Sequence, residues 1–258
     1  MSQPFDPGVG AVFSADIAVP EHAREVRFYS RVLNTGDRPL WREDLMNDLG
    51  MPIIGLGADG PQYAALPRQW MPHIQVADVG ASVERAVELG ARLLMREDEQ
   101  WAVLLDPNGA AFGIIPVVAI EQEELPDAEL LDPARVGRIA WLDLTVADAS
   151  AARDFYRDVI GWAVRDVEIP DGDVRYADYD MLRHDGAAAA GVCHARGPNV
   201  GLPPVWMLYL PVDDLSESLR RVEEEGGSLL RARRNVDGAA AVAAVRDPVG
   251  VPFALMQA

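Results

Sequence analysis

The stretch PPVWMLYLPVDDLSESLRRVEEEGG, residues 203–227, decides the fold of this chain. From Val205 it reads as a short apolar strand. After Asp213-Asp214 the apolar spacing turns helical, with Leu219 and Val222 on one face, until Gly226-Gly227 ends it. A strand running straight into a capped helix is a unit, and three weaker copies occur at Ser14–Leu33, Met71–Gly90 and Trp141–Ile160. The first and third of these carry Phe-Tyr, at Phe28-Tyr29 and Phe155-Tyr156.

The copies pair up. Asp16 and Asp143 hold matching places, as do Val76 and Val212, and Asp106-Pro-Asn-Gly matches Asp247-Pro-Val-Gly. Three anchors at similar offsets predict a duplicated domain. Each unit opens with alternation: Leu142, Leu144 and Val146 share one face, Trp141, Asp143 and Thr145 the other. The helices carry apolar residues at Val83 and Val87 and at Leu219 and Val222, and further strands follow, set off by turns such as Pro170-Asp-Gly-Asp and His184-Asp-Gly. The expected unit is βαβββ. The fold class is α+β: two tandem domains, residues 1–120 and 136–258, each of two βαβββ modules forming a cupped mixed β-sheet with helices on the outer face. The acidic, proline-bearing segment 121–135 reads as a linker.

Composition narrows the partners. A net charge of −18 opposes both a nucleic-acid backbone and an anionic membrane surface. A single cysteine, Cys193, excludes an internal disulfide framework and fits a reducing compartment. The start, MSQPFDPGVGAVF, lacks a basic segment followed by an apolar one, so a cytoplasmic protein is expected.

Paired βαβββ units with Val-x-Asp leading into a Phe-Tyr helix, and Asp-Pro-x-Gly before the last strand, resemble the vicinal oxygen chelate superfamily. This is the group of glyoxalase I, the bleomycin- and fosfomycin-resistance proteins and the extradiol dioxygenases. The resemblance spans roughly 14–117 and 137–257. Gly161-Trp162, Pro203-Pro204-Val205-Trp206, Val212-Asp213-Asp214, Gly226-Gly227, Asp247-Pro248-Val249-Gly250 and Leu255-Met256-Gln257-Ala258 are similar to a two-domain actinobacterial branch often labelled as a hydroxylase or an antigen. The resemblance implies a cup lined, in metal-dependent members, by His and Glu ligands. Carried over, the first-strand ligand positions are Ser14, Met71, Trp141 and Met207, and the last-strand positions are Gly113 and Ala254. None suits a divalent ion, which wants imidazole or carboxylate. No metal and no cofactor is expected.

Strand parity names what should face the cups. In the first domain these are Ser14, Asp16, His73 and Gln75, with Asp16 and His73 placed to approach each other as an oriented general base. In the second they are Trp141, Asp143, Met207, Tyr209 and Met256, an aromatic, Met-rich lining, with His194 at its border. Cys193 and His194 are adjacent on a strand, point to opposite faces, and form no nucleophile–base pair. The leading expectation is a metal-independent binder of a small apolar or aromatic metabolite, monomeric or homodimeric, akin by the resemblance to resistance proteins that sequester drugs without turnover. The alternatives are a metal-free isomerase, lyase or cyclase using Asp16/His73 or Asp143/Tyr209, a metal-dependent glyoxalase- or dioxygenase-like enzyme, and an interaction protein with filled cups.

Overall fold

The computed structural model describes residues 8–33, 54–118, 139–234 and 240–258. The segment 121–135 lies outside them. The fold is α+β, with mixed sheets and four helices among the described residues. None of these helices is long and apolar enough to cross a membrane. Chain contacts gather into two compact units, each taking one module from either half of the sequence.

Unit 1 holds the described residues of 8–13, 71–118 and 141–206. Its first module runs β3 (Met71–Val76), α2 (Val79–Glu88), β4 (Arg92–Glu97), β5 (Trp101–Leu105) and β6 (Ala111–Pro116). Its second runs β7 (Trp141–Val146), α3 (Ala149–Ile160), β8 (Ala163–Asp171), β9 (Val174–Leu182) and β10 (Ala188–His194). In both, the first strand pairs parallel with the last, and the other strands add antiparallel. That is βαβββ. Asp78 and Asp148 cap the helices by accepting the Ala81 and Ala151 N–H groups, and Gly161, at φ 84°, turns the chain out of α3 in a left-handed conformation that costs glycine little. Apolar faces bring α2 against α3 over a core of Phe112, Phe155, Tyr156, Trp162 and Trp206.

One polar thread crosses that core. The Trp206 indole N–H donates to the Tyr156 hydroxyl at 2.9 Å, which donates to Asp106 Oδ2 at 3.2 Å. Asp106 Oδ1 accepts the N–H groups of Asn108 and Ala110, closing the Asp-Pro-Asn-Gly turn. A buried carboxylate is tolerable on these terms, because each lone pair finds a donor.

Unit 2 holds the described residues of 14–70, 139–140 and 207–258. It contains most of β1 (Val12–Val19), with α1 (His22–Leu33), β2 (Ile54–Ala58), β11 (Trp206–Val212, from Met207), α4 (Leu215–Glu224), β12 (Ser228–Arg234), β13 (Ala240–Arg246) and β14 (Pro252–Gln257). Again β1 pairs parallel with β2, and β11 with β14. The strands expected between α1 and β2 fall on residues outside the described ones. Helices α1 and α4 pack together, and α4 serves the end of α1 directly: Ser218 Oγ donates to the Val32 carbonyl and Arg221 to the Arg31 carbonyl, two acceptors a helix end leaves open.

Two helix readings shift. Val87, expected on the buried stripe, is 48% exposed: α2 buries Val79, Val83 and Ala86, and Val87 falls beyond the edge of that face. One residue beyond Ala86 lies about 100° round the helix, away from the core. On α4 the buried face is Leu215, Ser218 and Val222, leaving Leu219 half-buried. His22 Nε2 lies 2.8 Å from the Leu56 carbonyl.

Candidate functional site

Each module brings its first and last strands side by side, and the parallel register sets one pair opposite in all four. Asp16 partners Gly55, His73 partners Gly113, Asp143 partners Gly191, and Tyr209 partners Ala254. In three pairs the first-strand side chain lies across the glycine. A Cβ on Gly55 would run into the Asp16 carboxylate, on Gly113 into the His73 ring, and on Gly191 into the Asp143 carboxylate, all closer than real Cβ atoms approach their neighbours. Glycine on a strand often marks such a close approach.

In unit 1, Asp143 Oδ1 accepts the Trp141 indole N–H at 2.7 Å, joining two residues singled out from the sequence. The neighbouring strands add residues that sequence reading missed. Asp180 stands in register with Gly191 and binds Arg165 at 2.6 Å; Asp178 Oδ1 accepts the His194 backbone N–H at 2.8 Å and lies 3.1 Å from His194 Nδ1. The Tyr176 ring meets the His194 ring edge-on, and the Arg196 guanidinium lies over Tyr176 at 4.2 Å. The strand alternation in Tyr176-Ala-Asp-Tyr-Asp180 was the available signal. Cys193 sits in register with Thr145, and burial, then the charges of Asp143, Asp178 and Asp180, push its thiol well above the usual range. Residues 186–191 form a turn and the start of β10.

The remaining sequence candidates divide by exposure. Ser14, Gln75 and Met207 are buried, and Gln75 Oε1 accepts the Val118 N–H at 2.7 Å, a bond that serves the backbone. Asp16, His73, Trp141, Asp143, Tyr209, Met256 and His194 keep some surface. Asp16 belongs to unit 2 with Gly55, and His73 to unit 1 with Gly113.

The metal that the fold family implies does not fit these residues. The last-strand partners are glycine or alanine in every module, and three of those positions are covered by a neighbouring side chain. Among the described residues, no three His, Cys, Asp or Glu side chains cluster as a metal set.

Comparison with known proteins agrees with this architecture. Residues 13–115 match the family model described as Glyoxalase-like domain, and residues 138–255 match Glyoxalase/Bleomycin resistance protein/Dioxygenase superfamily. The chain belongs to that superfamily, also called vicinal oxygen chelate, as a tandem of two such domains. It is 32% identical over 125 residues to "Putative glyoxylase CFP32" of Mycobacterium tuberculosis, covering 48% of this chain and 47% of that protein. It is 30% identical over 131 residues to anthracycline biosynthesis protein DnrV of Streptomyces peucetius, covering 46% of each. The matched stretch spans about half the length of these curated relatives. Among solved structures, a catechol 2,3-dioxygenase aligns over 97% of this chain and 93% of its own at TM-score 0.57 and 14% identity. A 2,2',3-trihydroxybiphenyl 1,2-dioxygenase from Sphingomonas wittichii aligns over 97% and 91% at TM-score 0.56 and 17% identity. At such identities the likeness is one of fold.

Proposed function

We propose that this chain binds a small, flat, apolar or aromatic metabolite without a metal ion. The observation that carries the reading is the set of four register pairs, in which the last strands offer only Gly55, Gly113, Gly191 and Ala254. Metal-dependent members of the superfamily need imidazole or carboxylate donors on such strands. Here the same volume is taken by Asp16, His73 and Asp143.

What the site offers instead is surface. Trp141 presents a partly exposed indole whose N–H is held by Asp143, giving an aromatic face with a hydrogen-bond acceptor beside it. That combination suits a planar ligand oriented by one polar group. Two relatives are named for anthracycline biosynthesis, and an anthracycline is a flat polycyclic aromatic. In this reading the partner is a small molecule rather than nucleic acid or membrane, in line with the net charge of −18.

Native mass spectrometry of freshly purified protein, against its denatured mass, is the test, joined to a fluorescence titration with an anthracycline. A retained organic adduct, or saturable quenching that weakens at least tenfold in Trp141→Ala, supports the reading. A retained divalent metal overturns it, and so does a bare mass together with no response to the anthracycline.

A further inference from the structure

Unit 2 repeats the tyrosine–aspartate link of the unit 1 polar thread. Tyr29 corresponds to Tyr156, Asp247 to Asp106, and Trp70 packs edge-on against Tyr29 at 5.5 Å between ring centroids. The Tyr29 hydroxyl donates to Asp247 Oδ2 at 2.9 Å, while Asp247 Oδ1 accepts the Val249 and Val251 N–H groups at 3.0 and 2.7 Å. A difference lies one turn before the tyrosine. Unit 1 has Ala152 there, buried and inert; unit 2 has Glu25, fully buried, and among the described residues neither of its carboxylate oxygens has a hydrogen-bond donor.

Two carboxyls therefore share a buried site, and only Asp247 is supplied with donors. An unpaired charge in such surroundings costs several kcal/mol in general, whereas a neutral acid costs far less. Asp247 has three donors that favour its ionised form, so the proton belongs on Glu25. We propose that Glu25 is carried as a neutral carboxylic acid in the folded protein, facing an ionised Asp247, and that this pair makes the packing of unit 2 loosen as pH rises.

The surroundings support that assignment. Arg24, whose charge opposes the shift at Glu25, pairs with the exposed Glu21, which itself adds negative potential there. From α4, Glu224 and Glu225 engage Arg31, Glu225 also engages Arg27, and Arg221 serves the Arg31 carbonyl. From β2, the contact is the Leu56 carbonyl with His22. Burial first, then Asp247, pushes the Glu25 carboxyl up from 4.5 to about 8. The sign follows: a group whose folded value is raised contributes its full stability below about 4.5, loses it as pH climbs to about 8, and adds no further change beyond.

The experiment compares thermal unfolding of the full chain with that of Glu25→Gln, which keeps the shape and cannot ionise, from pH 5 to 9.5. The expected result is that the wild-type folding equilibrium falls about a hundredfold or more relative to Glu25→Gln between pH 5 and 8, then runs parallel to it. A constant difference across the range overturns the proposal. So does a rise in wild-type melting temperature at pH 9 on adding calcium that Glu25→Gln lacks, since a cation would then be the partner. Should Glu25→Gln fail to fold, carboxyl-13C glutamate NMR on the wild type decides: one resonance titrating near pH 8 supports the neutral acid, and all resonances titrating near 4.5 refute it.

Discussion

Asp143 and Gly191 are partners in the parallel ladder of β7 and β10, and the Asp143 carboxylate lies where a side chain on Gly191 would begin. The carboxylate is held there by the Trp141 indole N–H. His73 over Gly113 and Asp16 over Gly55 repeat the relationship on other strands. Three polar side chains thus reach across glycines on the last strands of their modules.

Gly191→Ala tests this packing. The new Cβ must displace the Asp143 carboxylate, which is the movable end of a short side chain. The expected outcome is loss of the Trp141–Asp143 bond, a shifted tryptophan emission spectrum, and about 1–3 kcal/mol of destabilisation measured by urea unfolding. Ala254→Gly, which removes a Cβ rather than adding one, should leave that spectrum unchanged.

The sequence carried the modules but not these contacts. Alternation in Trp141–Val146 sorted Leu142, Leu144 and Val146 to the buried face, and the Asp residues before α2, α3 and α4 do cap those helices. Such features are local, set by period two or by a cap three residues away. Asp143 meeting Gly191 depends on the register of strands far apart in the chain, and Glu25 meeting Asp247 on the packing of α1 against the last strand turn. The Asp178–His194 contact hides for the same reason. Val87 failed differently: the spacing placed an apolar residue, and only the packing of α2 shows where its buried face ends.

That helix phase can be measured. Val83→Ala should cost about 2 kcal/mol, because two buried methyl groups are lost from the face packed toward the core. Val87→Lys should change stability by less than about 0.5 kcal/mol, since the position is solvated. Equal costs for the two would place the buried stripe elsewhere.

Cys193 should be slow to react. Its thiol is held in the protonated form by burial and by the surrounding carboxylates, and the thiolate is the reacting species. With a disulfide reagent at pH 8, the folded protein is expected to label at least tenfold more slowly than protein in denaturant. A fast native reaction would mean that β10 opens readily or that the carboxylates lie further from the sulfur.

Tyr156→Phe separates packing from hydrogen bonding in the unit 1 core. The ring stays, with its edge contacts to Phe112 and Trp206 at 5.3 and 5.1 Å, but the hydroxyl between Trp206 and Asp106 is gone. Asp106 keeps the Asn108 and Ala110 N–H groups, while the Trp206 indole N–H loses the hydroxyl that accepts it. Stranding one buried donor costs about 1–3 kcal/mol, more than the net worth of an average hydrogen bond. Urea unfolding should show that loss at unchanged m-value, and Tyr156→Phe with Trp206→Phe should lose less than the two single variants added together, because the second change removes the stranded donor. Strict additivity would mean that the two groups do not share the bond.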